Sequence, residues 1–484
     1  MATEQLPRIA DYAPSYHLAG SYALESRDWA TALPLLQKAT LLDPENVVYA
    51  ACWAQALALT DNFAEALRAA NYAISLNPCD PAVLNRLGIV YRECQANRHA
   101  LDAFNEAVVK APDNAEYRYN LAVALVQEAD LDAARLELNA VIALKEDSWE
   151  AQYLLSRLGS LNPEQSRIRS LRALLNKVGA DHRANVYGQM AIGREHEAMQ
   201  EYDQALECYR MAKNAVRPAY TSSGERIKGI VDAMIATPPI AEAEAKCCAS
   251  DDPIFVVGMP HAGLTLVERM LSTHTHVHAT GACANFGMAF KSLTRSNPVN
   301  GDGRSDHSAW SRRLGERYLQ SARPLSNGMP RFVDRFPHNF LYLGYIAKSL
   351  PNAKIITLSR HPMDLCLATF RTLHTPNDEF FDYSLNLKSI AHYYAQYRRL
   401  MGHWQAVLPG RILEVDYEDL VHRRSDAWRQ ILLHTGLPWQ TLSFYPEPIT
   451  PMGYDSAHGR WKRFGNTLAG LRIDLERQGV AILD

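Results

Sequence analysis

The chain has 484 residues, too many for one ordinary hydrophobic core, so two or more domains are expected. Hydrophobic residues make up 47% and charged residues 21%, a globular balance, and the net charge of −3 provides no general field for nucleic acid or an acidic membrane. There is no run of 18 apolar residues, the first ten residues hold Glu4, Pro7 and Arg8 where a secretory leader would be apolar, and none of the cysteines is spaced C-x-x-C. The expectation is a cytoplasmic protein with no membrane span and no metal site.

From the N-terminus the first signal is a repeat. Ala32, Ala66, Ala100 and Ala134 lie 34 residues apart, and Ala39, Ala73, Ala107 and Val141 keep the same interval. Gly20, Ala54, Gly88 and Ala122 form a third column, and Pro44, Pro78 and Pro112 a fourth. Small residues let two antiparallel helices cross closely, while Leu87, Tyr91 and Phe104 fill the space beside the crossing. Proline ends the second helix of each pair, and the Asp or Asn that follows is fit to cap the next helix.

These columns resemble the tetratricopeptide repeat. Units are expected at 13–46, 47–80, 81–114 and 115–148. A further unit near 186–218 is marked by Gly193, Ala205, Tyr209 and Ala212 and follows an irregular stretch at 149–185. The resulting solenoid, residues 1–215, implies a concave surface for a peptide or protein ligand, or a plain scaffold.

Residues 216–251 read as a linker that ends in Asp251-Asp252-Pro253. From 252 to 484 the pattern changes to α/β. Ile254–Val257, Lys354–Leu358 and Arg411–Val415 read as short buried strands separated by helices, which points to a parallel sheet. Gly258, Pro260 and Gly263 follow the first strand and precede a helix, as in a loop that presents backbone amides to an anion. The chain lacks the G-x-x-x-x-G-K-[ST] lysine, which excludes an ordinary nucleotide triphosphatase.

I-F-V-V-G-M-P-H-A-G-L-T-L-V (254–267), A-K-I-I-T-L-S-R-H-P-M-D-L-C-L-A-T-F (353–370), D-R-F-P-H-N-F-L-Y-L-G (334–344), E-V-D-Y-E-D-L (414–420), G-L-P-W (436–439) and G-R-W-K-R-F (459–464) resemble segments of sulfotransferases. The whole chain resembles bacterial tetratricopeptide-repeat sulfotransferases related to the tyrosylprotein sulfotransferases, with a degenerate phosphosulfate loop. The resemblance implies a multidomain protein: an all-α repeat solenoid, then an α/β sulfotransferase (P-loop-like) domain. The implied co-substrate is PAPS, 3′-phosphoadenosine 5′-phosphosulfate, with no metal.

The resemblance also implies site residues. The family loop P-R-S-G-T-T corresponds here to Pro260, His261, Ala262, Gly263, Leu264 and Thr265, so backbone donors and one hydroxyl persist while the fixed cation becomes a histidine. Arg360 takes the place of the arginine that holds the 3′-phosphate, and Ala368 that of its partner serine. Arg335 replaces a lysine that stabilises the transferring group. The family's V-H-x-x-G-E base becomes Val277-His278-Ala279-Thr280-Gly281-Ala282, which leaves His278 or His261 to accept the proton. Glu268, one turn into the helix, is expected in a surface ion pair. Arg460 and Lys462 are expected at the donor end, and the stretch from Pro446 to Tyr454 is shorter than its counterparts. Two functions follow: sulfuryl transfer to a hydroxyl, tyrosine included, of an acceptor held by the repeats, or a catalytically impaired relative acting as a peptide- or protein-binding scaffold.

Overall fold

The computed structural model describes residues 12–159, 166–179, 181–216, 223–236, 248–282, 284–296, 307–374, 381–442 and 459–482. It divides into two compact units, Met1–Ala151 and Gln152–Asp484.

The first unit is a stack of helical hairpins: α1 (Ala13–Glu25) with α2 (Trp29–Leu42), α3 (Val47–Leu59) with α4 (Phe63–Ser75), α5 (Pro81–Glu93) with α6 (Asn97–Lys110), and α7 (Ala115–Gln127) with α8 (Leu131–Leu144). The alanine columns are fully buried at the crossings. A Cβ on Gly20 would lie 2.7 Å from Leu36 Cγ, and one on Gly88 would lie 2.6 Å from the Phe104 ring. Asn46, Asp80 and Asn114 each accept amides from the first turn of the following helix. Within each hairpin the turn holds a residue with left-handed backbone: Arg27, Asp61, Gln95 and Ala129. This column is hidden in the sequence because four different residue types occupy it.

The second unit opens with helices of the same kind. The stretch at 149–185, read as irregular, carries α9 (Trp149–Leu158, which begins in the first unit) and α10 (Ile168–Val178), whose Leu171 and Leu174 are buried. The hairpin of α11 (His182–Ala198) and α12 (Tyr202–Ala215) follows, with Gly193 closed against the Tyr209 ring. The span read as a linker contains α13 (Ser223–Ala236). It packs on the long helix at Leu387–Val407 and buries Ile227 and Val231, one turn apart. Residues 237–247 lie outside the described residues.

The core of this unit is a five-stranded, all-parallel sheet of order β2-β3-β1-β4-β5. The strands are β1 (Pro253–Val257), β2 (Val277–Ala279), β3 (Arg331–Asp334), β4 (Lys354–Ser359) and β5 (Ile412–Asp416). Central β1 is buried on both faces, hence its continuous apolar run. Phe255 pairs with Asp334 of β3 and Ile355 of β4, which fixes the register on both sides. β2 and β3 are too short and too polar to be read as strands. The chain leaves β1 through α14 (Leu264–Ser272) toward β2, and leaves β4 through a helix at Pro362–Phe370 toward β5. The crossovers therefore diverge between the C-terminal ends of β1 and β4, where open α/β sheets bind ligands. Among the described residues no helix is long and apolar enough to cross a membrane.

Candidate active site

The loop after β1 is built on left-handed backbone at His261 (φ 69°) and Gly263 (φ 104°). Only glycine fits at 263, since a Cβ there would lie 2.5 Å from the Tyr417 ring. The amide of Ala262 donates to Met259 O at 3.2 Å and closes a turn. Those of Gly263 and Leu264, at the N-terminus of α14, donate to no protein group among the described residues. They are the amides an anion would find, aided by the helix dipole. The side chains of Pro260, Ala262 and Leu264 are buried, and Thr265 is half-buried. At positions 262 and 264, where the family carries hydroxyls, apolar groups join the core.

The His261 imidazole is held well below its ordinary range in the ligand-free protein. Burial, then Arg360, Arg157, Arg194 and Arg371, push its imidazole down to about 3, so it is neutral at pH 7. Its carbonyl accepts a 2.9 Å hydrogen bond from Arg360 Nη1. Arg360 thus fastens the loop to the end of β4, with its guanidinium 4.7 Å above the Tyr417 ring. The same arginine lines a cleft of about 540 Å³ with Ser359, His361, Arg398, Asp416 and Glu418. Ala368 is buried in the helix beyond and presents no hydroxyl to it.

On the other side of β1, Glu268 proves to be a buried carboxylate rather than a surface one. It is 5% exposed because it projects from α14 back toward the sheet. Its Oε1 accepts the amide of Gly281 at 3.0 Å, next to Ala282, and its Oε2 pairs with Arg335 Nε at 2.5 Å. Asp334, the sequence neighbour of Arg335, is instead engaged by Tyr318, Asn339 and the amide of Phe336. Burial raises Asp334 to about 7. His278 is half-buried on β2. Burial lowers its pKa and the charge of Glu268 opposes that shift. Arg335, His278 and Glu268 therefore share one electrostatic neighbourhood beside Gly281.

The basic cluster near the C-terminus divides. Arg460 pairs with Glu197 of α11 at 2.7 Å, while Lys462 is exposed, 5.8 Å from the Trp461 ring. Asp364 holds the amides of Gly459 and Trp461, and the Trp461 ring stacks on His361. Pro446 to Tyr454 lie outside the described residues.

Sequence reasoning misses Glu197, Arg194, Arg371, Lys213 and Arg157, which belong to no motif. Arg371 donates to both oxygens of Glu197, at 2.8 and 2.6 Å. Burial opposes the charge on Glu197, but Arg371, Arg194 and Arg460 overcome it and hold the carboxyl down at about 2. No group of three or more His, Cys, Asp or Glu placed to hold a metal occurs among the described residues.

Residues 253–441 match a family model described as Sulfotransferase family, and residues 21–143 match one described as Psidin, N-terminal TPR repeats region. A protein of Aquifex aeolicus (strain VF5), described as uncharacterized, is 24% identical over 408 residues. The alignment covers 80% of this chain and 53% of that protein, so the chain spans about half the length of the curated relative it matches. Among solved structures, the sulfotransferase domain of the Synechococcus PCC 7002 olefin synthase is similar at 17% identity and a TM-score of 0.33, over 48% of this chain and 95% of that one. YrrB, a TPR protein with an unusual peptide-binding site, is similar at 17% identity and a TM-score of 0.28, over 43% and 89%.

Proposed function

We propose that this chain, which joins a tetratricopeptide-repeat region to a sulfotransferase-family domain, transfers the sulfuryl group of PAPS to a hydroxyl, such as a tyrosine, of an acceptor held by the repeats. The reading is carried by the undonated amides of Gly263 and Leu264 at the sheet's switch point, with Arg360 fastened to the same loop. A phosphosulfate needs such donors, preorganised and partly desolvated. The loop from Pro260 to Thr265 would hold it through backbone groups and the Thr265 hydroxyl. Arg360 and its cleft would take the nucleotide's 3′-phosphate.

Arg335, held by Glu268, would stabilise charge on the bridging oxygen as the sulfur–oxygen bond to the 5′-phosphate breaks. The acceptor oxygen forms the new bond to sulfur, and His278, neutral at pH 7, accepts its proton. Adenosine 3′,5′-bisphosphate departs. In this arrangement Arg460 is paired with Glu197 and Lys462 is exposed, and both would stand toward the nucleotide end of the donor.

Calorimetric titration with adenosine 3′,5′-bisphosphate tests the donor site. Saturable binding is expected, weakened about tenfold or more in Arg360→Ala because a charge-assisted contact is lost. No heat at millimolar ligand removes the donor site. Binding without transfer of labelled sulfate from PAPS to tyrosine peptides or other hydroxyl acceptors would leave a scaffold.

A further inference from the structure

Three cations come from outside the segment that matches the sulfotransferase family: Arg157 on α9 and Arg194 on α11, which act on His261 of the donor loop, and Lys213 on α12, which acts on His374 next to it. Their helices grip the backbone that follows the Pro362–Phe370 helix. Arg194 Nη2 donates to Arg371 O at 2.8 Å, Lys213 Nζ donates to Thr372 O at 2.6 Å, and Tyr153 Oη accepts the amide of Leu373 at 3.2 Å. The next residue, His374, brings its ring within 5.9 Å of the His261 ring. Arg157 and Arg194 lie close enough to His261 to act on its charge, and Lys213 and Arg157 close enough to act on His374.

The balance of charge here is uneven. Glu197 is shared by Arg371 and Arg460. Lys213 is 2% exposed, and among the described residues its ammonium meets a carbonyl but no carboxylate. Arg194 Nε and His374 Nε2 are buried with no hydrogen-bond partner among the described residues. A buried ammonium without a counter-charge costs several kcal/mol, and for packing alone an apolar side chain of similar length would serve better. Positive charge kept at that cost beside an anion loop whose own cation has become a neutral histidine points to an anion from solution.

We propose that Lys213, Arg194 and Arg157 form a second wall of the donor site, so that the repeat-type helices supply the positive charge that the loop lacks for a phosphosulfate or phosphate ester. The inference rests on the donor reading above. It adds that residues 152–215 are part of the binding site.

Linkage gives the test. Burial alone pushes Lys213 down to about 7. The charged and titratable groups of the elements around it are His374 and Arg371, Arg194 and Glu197 on α11, Tyr209 on α12, Arg157 on α9 and His261 in the loop. An incoming anion restores the ammonium, so binding takes up protons and affinity falls as pH rises above 7. In the full-length protein, titration with adenosine 3′,5′-bisphosphate in buffers of different ionisation enthalpy should show proton uptake near pH 7.5. Affinity should drop about tenfold between pH 7 and 8.5. Lys213→Met should bind about tenfold more weakly or worse at pH 7, lose the proton uptake and unfold at an equal or higher temperature. Arg157→Gln, at a half-exposed position, should weaken binding with the fold intact. Inorganic pyrophosphate in place of the nucleotide should show the same uptake if the wall reads the anion rather than the base. Lys213→Met with wild-type affinity and a lowered unfolding temperature would reduce Lys213 to a tether for Thr372 and overturn the proposal. Should that variant not fold, an absence of proton uptake in the wild type together with unchanged affinity in Arg157→Gln overturns it equally. In both cases the donor reading survives, whereas a wild type that binds neither ligand removes both.

Discussion

Glu268 is separated from Ala282 by 14 positions in the sequence, yet it bonds to the residue beside it, because α14 runs back along the sheet toward β2. One carboxylate therefore reaches both Arg335 and the Gly281 amide beside His278's strand. Glu268→Gln retains an acceptor for the Gly281 amide and removes the counter-charge of Arg335. The expected result is a kcat lower by about 10–100-fold, with little change in KM for the acceptor. The carboxylate also raises the pKa of His278, so the acidic limb of the pH–rate profile should move to lower pH in the variant. An unmoved profile with only a lowered unfolding temperature would make Glu268 structural. Sequence reading located His261, Arg335 and Arg360 as candidates but not their charge environment. The neutrality of His261 is set first by burial and then by arginines at 360, 157, 194 and 371, which no local pattern connects.

At the scale of elements, the repeats were legible because each column answers one steric demand. The small residue opposite Leu36, Phe104 or Tyr209 has no alternative. The left-handed column was not legible, since Arg27, Asp61, Gln95 and Ala129 pay the same modest backbone cost with unrelated side chains. β1 and β4 announced themselves as apolar runs, while β2 and β3, short and carrying His278, Arg331 and Asp334, did not. The steric argument can be measured with two glycines in helix interiors. A Cβ on Gly193 would sit 2.5 Å from the Tyr209 ring, whose hydroxyl donates to Glu197, whereas one on Gly229 meets nothing within 4 Å. Gly193→Ala should lose about 1–3 kcal/mol in urea unfolding. Gly229→Ala should gain about 0.5–1 kcal/mol. A tolerated Gly193→Ala would mean that the crossing can spread.

For the whole molecule, periodicity and compactness draw different boundaries. The 34-residue signal fades near 215, but the compact units part at Ala151: α11 and α12 keep the repeat's internal packing while their outer residues bond to the α/β domain. Arg194, Glu197 and Lys213 all hold the backbone or side chain of the 371–372 segment. Cutting at 215 would leave Arg371 without Glu197, and losing one partner of a buried pair costs about 3–5 kcal/mol, a large share of a domain's stability. Residues 152–484 alone should therefore unfold in one cooperative transition and bind adenosine 3′,5′-bisphosphate as the full chain does. Residues 216–484 should lack a cooperative thermal transition and bind nothing. Both fragments are read by differential scanning calorimetry and by the same titration. If the shorter one folds and binds with undiminished affinity, the helices from 152 to 215 belong to the repeat array alone and the donor site is complete without them.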